Sequence, residues 1–126
     1  MSKYILVVDD DQEIREIVSF ALSRYGFAVE TCASGQQVLH WLSTPLSLLP
    51  DLIILDIMMP GEDGYTICQS LASNFRTRHI PIIIMTAHTE EIYRRISDDL
   101  GAADHITKPF HPLELVEKVI TLLQKS

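Results

Sequence analysis

Along the chain, short apolar runs alternate with stretches in which apolar residues return every three or four positions. Tyr4–Val8 is a continuous apolar run, and Ile14, Ile17, Val18, Ala21, Leu22 and Tyr25 then recur at helical spacing. That pattern predicts a buried strand followed by an amphipathic helix, which Gly26 ends. A second strand is expected over 27–31, a second helix over 36–42, and a proline-containing loop over 43–50. The third strand is expected at Leu52–Asp56, with Asp63 placed to cap a third helix carrying Ile67, Leu71 and Phe75. A fourth strand is expected over 80–85, with Pro81 at its start, where a missing N–H is tolerated. Residues 90–100 read as a helix closed by Gly101, 103–106 as a short fifth strand, and 112–123 as a C-terminal helix.

Strands that are apolar throughout and alternate with helices indicate a parallel sheet covered on both faces. The expected fold class is therefore α/β, one doubly wound domain of five strand–helix units over residues 1–126. A chain of 126 residues suits a single domain, and 47% hydrophobic with 21% charged residues supplies one core and a soluble surface. The formal charge of -7 argues against direct binding to nucleic acid or to an anionic membrane, both of which need a basic surface. The longest apolar runs, Leu52 to Leu55 and Ile82 to Met85, are too short to cross a bilayer, and Met1-Ser2-Lys3-Tyr4 lacks the apolar stretch of a signal peptide. The expected location is the cytoplasm. Cys32 and Cys68 lack metal-ligand spacing and read as small buried hydrophobes.

In a doubly wound sheet, function gathers at the C-terminal ends of the strands. Asp9, Asp10 and Asp11 follow the first strand, Asp56 ends the third, Thr86 and Ala87 follow the fourth, and Lys108 and Pro109 follow the fifth. Several carboxylates on one rim repel each other unless a cation joins them, and an all-oxygen donor set suits Mg²⁺. At least one of these acids should be strained without metal, and Asp9→Asn is expected to relieve that strain. A carboxylate can attack phosphorus to form an acyl phosphate, with Lys108 and the Thr86 hydroxyl facing the phosphoryl oxygens.

Four motifs stand in order: Ile5-Leu6-Val7-Val8-Asp9-Asp10; Leu55-Asp56-Ile57-Met58-Met59-Pro60 with Asp63-Gly64; Met85-Thr86-Ala87; and Lys108-Pro109-Phe110. Together they resemble the response-regulator receiver domains of two-component signalling, over nearly the whole chain. The resemblance implies a five-stranded parallel sheet of order 2-1-3-4-5 with helices on both faces. It implies phosphorylation of Asp56 by a histidine kinase or a histidine phosphotransfer domain, with slow autodephosphorylation. It makes Asp9, Asp10, Asp56 and the Met58 carbonyl the Mg²⁺ ligands, Thr86 the switch hydroxyl, Lys108 the phosphate-binding lysine, and the Lys108–Pro109 peptide cis. Such a chain is a phospho-acceptor signalling domain rather than an enzyme acting on a separate substrate.

Several positions carry two readings. Asp10 with Glu13 fits a capping box, and Asp11 fits a helix cap; capping explains one acid, not three. His105 stands where the family usually has Tyr or Phe as a rotating switch, and it reads equally as a structural histidine. His40, His79 and His111 read as solvated, and Trp41 as a packing residue. The wide apolar arc of 112–123 serves as extra core or as a partner surface. With Arg94, Asp104, Glu114 and Lys118 it resembles part of the surface through which some receivers dimerise on phosphorylation, across helices four and five. Met58 and His88 flank the approach of a hydrolytic water to the phosphoryl group, so they are expected to tune its lifetime.

Two other functions fit less well. An aspartyl-phosphate phosphatase usually has a second Asp two residues after the nucleophile, where this chain has Met58. A flavin carrier needs a phosphate-binding loop after the first strand, and three aspartates there repel phosphate.

Overall fold

The structure is a computed structural model that describes residues 3–40, 45, 48–59, 64–87 and 101–124. Its strands are β1 (Tyr4–Val8), β2 (Ala28–Cys32), β3 (Leu52–Asp56), β4 (Ile82–Thr86) and β5 (Asp104–Thr107). The described helices are α1 (Gln12–Arg24), α2 (Gly35–His40), α3 (Gly64–Ser73) and α4 (Pro112–Gln124). The strands form one parallel sheet of order β2-β1-β3-β4-β5, the order that the resemblance implies. Among the described residues no helix is long and apolar enough to cross a membrane.

The continuous apolar runs are the central strands, because these alone are covered on both faces. Side chains of a strand point alternately to opposite faces. Leu6, Val8, Ile53, Leu55 and Ile84 therefore meet Val38, Ile67 and Leu71 on one side. Ile5, Val7, Ile54, Ile83 and Met85 meet Val18, Leu22, Leu115 and Val119 on the other. Ile120, Leu122 and Leu123 also pack against this second cluster, so the wide apolar arc of α4 is used largely as core. Cys32 and Cys68 are buried free thiols.

Local chemistry sets the helix ends. Asp11 is the cap of α1, accepting the Glu13 N–H at 2.9 Å. At the other end Gly26 takes φ +89°, a left-handed value that costs glycine nothing, while its N–H donates to the Ser23 carbonyl. His111, expected only to be solvated, starts α4: its Nδ1 accepts from the Leu113 N–H at 3.1 Å.

Some expectations shift. β2 and β4 begin later than 27 and 80 and run on to Cys32 and Thr86, and β5 covers Asp104–Thr107. Phe75 is not part of the α3 stripe: the helix stops at Ser73 and Phe75 is 75% exposed. The cause is local, since Asn74 accepts the Arg76 N–H and the Thr77 hydroxyl donates to the Leu71 carbonyl at 2.6 Å, turning the chain. Ile17 and Tyr25, assigned by periodicity to the inner face of α1, lie outside. Trp41, Asp63, His88, Arg94 and the helix expected over 90–100 lie outside the described residues.

Gly64 lets α3 start against β3. A Cβ there would sit 2.7 Å from the Ile57 carbonyl oxygen and nearer still to the Ile57 Cα, and main-chain atoms cannot step aside as a side chain can. Gly64→Ala is therefore expected to destabilise the fold by about 3 kcal/mol, at the upper end for overpacking. Urea unfolding measures this, and an unchanged midpoint would show that α3 can draw back from β3 without cost.

Candidate functional site

The strand register sets the site. Val8 pairs with Leu55, Asp56 with Met85, and Thr86 with Thr107, so the chain leaves the four strands β1, β3, β4 and β5 at one rim. Main-chain bonds tie the exits together: Ile57 N–H donates to the Met85 carbonyl at 3.3 Å and Lys108 N–H to the Thr86 carbonyl at 2.7 Å. The Lys108–Pro109 peptide is cis, as expected.

Asp9 is 0% exposed and Asp56 3%, Thr86 is buried, and Asp10 is exposed. Lys108 Nζ donates to Asp9 Oδ2 at 2.7 Å and to Asp56 Oδ2 at 3.1 Å. Each acid gives its other oxygen to a main-chain donor two residues on. Asp11 N–H reaches Asp9 Oδ1, and Met58 N–H reaches Asp56 Oδ1, both at 2.9 Å. Arg15, one turn into α1, donates from Nη1 to the Asp9 carbonyl at 2.7 Å. Sequence reading missed Arg15, since an arginine beside an apolar stripe looks like an ordinary surface residue.

Burial pushes the Asp56 carboxyl above its ordinary range. The Met58 N–H works against this, the charge of Asp9 adds to it, and Lys108 opposes it without reversing it. Burial also works against the Lys108 ammonium, but its bond to Asp9 and the charge of Asp56 hold its pKa above the usual lysine value. The strain expected of the acid cluster thus falls on Asp56. The charge of Asp9 is one of its causes, so Asp9→Asn remains an expected relief, set against the Lys108 bond that Asp9 accepts at 2.7 Å.

Asp9, Asp10 and Asp56 present carboxylate oxygens that all lie within 4.8 Å of one another. Among the described residues two of the three acids, Asp9 and Asp56, pair with one lysine, Lys108, and a set of hard oxygen donors fits a small divalent cation.

The remaining expected residues are more dispersed. Met58 holds Asp56 through its N–H, and its side chain is half exposed. His105 lies on β5 opposite Ile84, short of the rim, with its N–H bonded to Asp104 Oδ1 at 2.8 Å. Its partly buried ring lines a cavity of about 460 Å³ together with Lys108, Pro109 and Glu114. Asp104 pairs with Lys118 of α4 at 3.2 Å, within the chain.

Residues 5–120 match the family model of the response regulator receiver domain. The chain is 42% identical over 122 residues to the transcriptional regulatory protein GltR of Pseudomonas aeruginosa, a match covering 97% of this chain and 49% of that protein. It is 38% identical over 126 residues to the alkaline phosphatase synthesis transcriptional regulatory protein PhoP of Bacillus subtilis, covering 100% of this chain and 50% of that one. The chain thus spans about half the length of these curated relatives. The solved structure of the chemotaxis response regulator CheY4 of Vibrio cholerae superposes with a TM-score of 0.86 at 28% identity, covering 96% of this chain and 98% of that one. The matched span, the sheet order and the level of identity agree: this chain belongs to the response regulator receiver family of two-component signalling.

Proposed function

We propose that Asp56 accepts a phosphoryl group from a phosphohistidine on a histidine kinase or a histidine phosphotransfer domain, and that this chain switches its surface in response. The observation that carries the reading is the buried Asp56 carboxylate held beside Asp9 by one shared ammonium, Lys108. A carboxylate oxygen forms the new bond to phosphorus as the phosphorus–nitrogen bond of the donor breaks, and the imidazole leaves. Lys108 then loses much of the charge it faced on Asp56 and turns to the phosphoryl oxygens, where the Thr86 hydroxyl also donates. Mg²⁺ held by Asp9, Asp10, Asp56 and the Met58 carbonyl would neutralise charge on the attacking and transferring oxygens. Return is slow hydrolysis, in which water attacks phosphorus, inorganic phosphate leaves and the Asp56 carboxylate is restored. The chain in this way catalyses changes to itself and has no separate substrate.

The switch would run from Thr86 and His105 to the face formed by β5 and α4. A phosphorylation-dependent dimer through that face has lost part of its motive. The apolar arc of α4 is largely core, and Lys118 pairs with Asp104 within the chain.

Incubation with a small phosphodonor tests the reading. Intact mass should show one added phosphoryl group with Mg²⁺ and far less after chelation. A chain that stays unmodified under both conditions overturns it. Met58→Asn should shorten the phosphoryl lifetime severalfold, because a flexible apolar side chain covers the group without offering water a hydrogen bond, whereas an amide offers one. Mg²⁺ affinity should barely change, since the metal takes only the main-chain carbonyl here. Decay no faster than wild type would remove Met58 as the shield, leaving His88 as the residue to test.

A further inference from the structure

We propose, on the Mg²⁺ reading given above, that Arg15 is a positioning residue for the cation site. By holding the Asp9 carbonyl, its guanidinium keeps the exposed Asp10 carboxylate turned toward the two buried acids. Asp9 and Asp56 need no such help, since both are buried and each is bonded to Lys108 and to a main-chain N–H. Asp10 is different. It is exposed, yet its carboxylate has an oxygen within 4.8 Å of an oxygen of each of the other two. Like charges at that distance repel, and water would accept the Asp10 side chain if the main chain let it swing outward.

Arg15 grips the turn on both sides of Asp10. Its main-chain N–H donates to the Asp11 carbonyl at 3.1 Å, in the first turn of α1. Its Nη1 reaches back to the Asp9 carbonyl at 2.7 Å. The Asp9 N–H in turn donates to the Cys32 carbonyl of β2 at 3.1 Å, so the residue before Asp10 is tied through both its main-chain groups. With its carbonyl held, the planar peptide between Asp9 and Asp10 is kept from rotating, and the direction in which the Asp10 side chain leaves the main chain is set. A short bond from a half-buried guanidinium is charge-assisted and stronger than a neutral one. Groups that orient metal ligands from behind govern affinity by about 10–100-fold. Positioning and plain charge have opposite signs here. An arginine acting only as a nearby positive charge repels Mg²⁺, so its removal tightens binding. An arginine that places Asp10 loosens binding when it is removed.

Calorimetric titration of the metal-free protein with Mg²⁺ tests the proposal. Arg15→Met keeps the stem and removes the donor, and it should weaken Mg²⁺ binding about tenfold. Arg15→Lys, which restores a cationic donor on a flexible stem, should recover most of the loss. Asp10→Ala should weaken binding at least as much as Arg15→Met. Adding Arg15→Met to it should cost little more, because the group that Arg15 positions is already gone. With a small phosphodonor, Arg15→Met should fall further behind wild type at low Mg²⁺ than at high Mg²⁺. Thermal melts of the metal-free proteins fix a titration temperature at which every variant is folded, and there a merely structural role leaves the affinity in place. Unchanged or tighter Mg²⁺ binding by Arg15→Met, no recovery in Arg15→Lys, or losses in Arg15→Met and Asp10→Ala that simply add would each overturn the proposal. A wild type that binds no Mg²⁺ overturns the cation site itself, and the role of Arg15 with it.

Discussion

Asp56→Asn should take up no phosphoryl group from a small donor while becoming more stable than wild type in the absence of metal at neutral pH. The two effects have one origin. Asp56 is a nearly buried carboxylate whose pKa is raised by desolvation and by the charge of Asp9, against the pull of the Met58 N–H and Lys108. In the unfolded chain the same acid ionises in the ordinary carboxylate range. As pH rises from that value toward the higher folded pKa, the unfolded state sheds its proton first, and stability falls. Above the folded pKa the loss is complete and constant. The amide carries no charge to desolvate, so its melting temperature should exceed that of wild type by several degrees at pH 7 with chelator present. The gap should close as pH drops below the ordinary carboxylate range. Divalent cation should narrow it too, by stabilising wild type through mass action. Intact mass after donor treatment and thermal melts across pH read both effects. Labelling of the Asn variant at the wild-type level would move the acceptor elsewhere. A variant less stable than wild type at pH 7 would show that Asp56 is stabilising as the ionised form.

Lys108→Ala should be the most damaging change at the rim. One ammonium serves two buried acids, at 2.7 Å and 3.1 Å. Among the described residues its loss leaves each carboxylate with only a main-chain N–H and no ion-paired cation, and stranding buried charge in this way costs about 3 kcal/mol. The acids can escape the penalty by taking up protons, so the deficit should be large at pH 8 and small at pH 4. On the alkaline side, the raised pKa of Lys108 means that wild type loses the lysine's contribution only as pH climbs from the ordinary lysine range through the folded value. Divalent cation should return part of the lost stability while phosphorylation stays impaired, since a metal replaces the charge but not a donor at the phosphoryl oxygens. Urea titrations at the two pH values, with and without Mg²⁺, measure this. An equal deficit at both pH values would mean that Lys108 acts by packing its stem and not by its charge.

The fold was largely legible from the chain because its determinants are local or repetitive. The apolar runs of β1, β3 and β4, the Asp11 cap and the Gly26 turn are each read from a few neighbouring residues. Periodicity failed where exposure depends on what lies across the helix. Ile17 and Tyr25 fit the helical stripe of α1 but stay exposed, and Phe75 follows a turn set by Thr77 that no apolar pattern records. His111 as a cap was missed because a histidine seldom fills that place.

Of the site, the sequence by itself determined the parts: which acids follow which strands, the threonine and lysine at the later strand ends, and the order of the motifs. Those follow from alternation along the chain, which short-range sterics and burial impose. Only the tertiary structure decided how the parts share their charge. Lys108 bridges Asp9 and Asp56 across sequence separations of 99 and 52 residues, a contact set by strand register. Desolvation depends on every neighbour that excludes water, and its hold on the Asp56 carboxyl is something no spacing of residues could have shown. The same holds for Arg15 on the Asp9 carbonyl and for the exposed Phe20 of α1: a helix states which residues share a side, and only packing settles which side meets water.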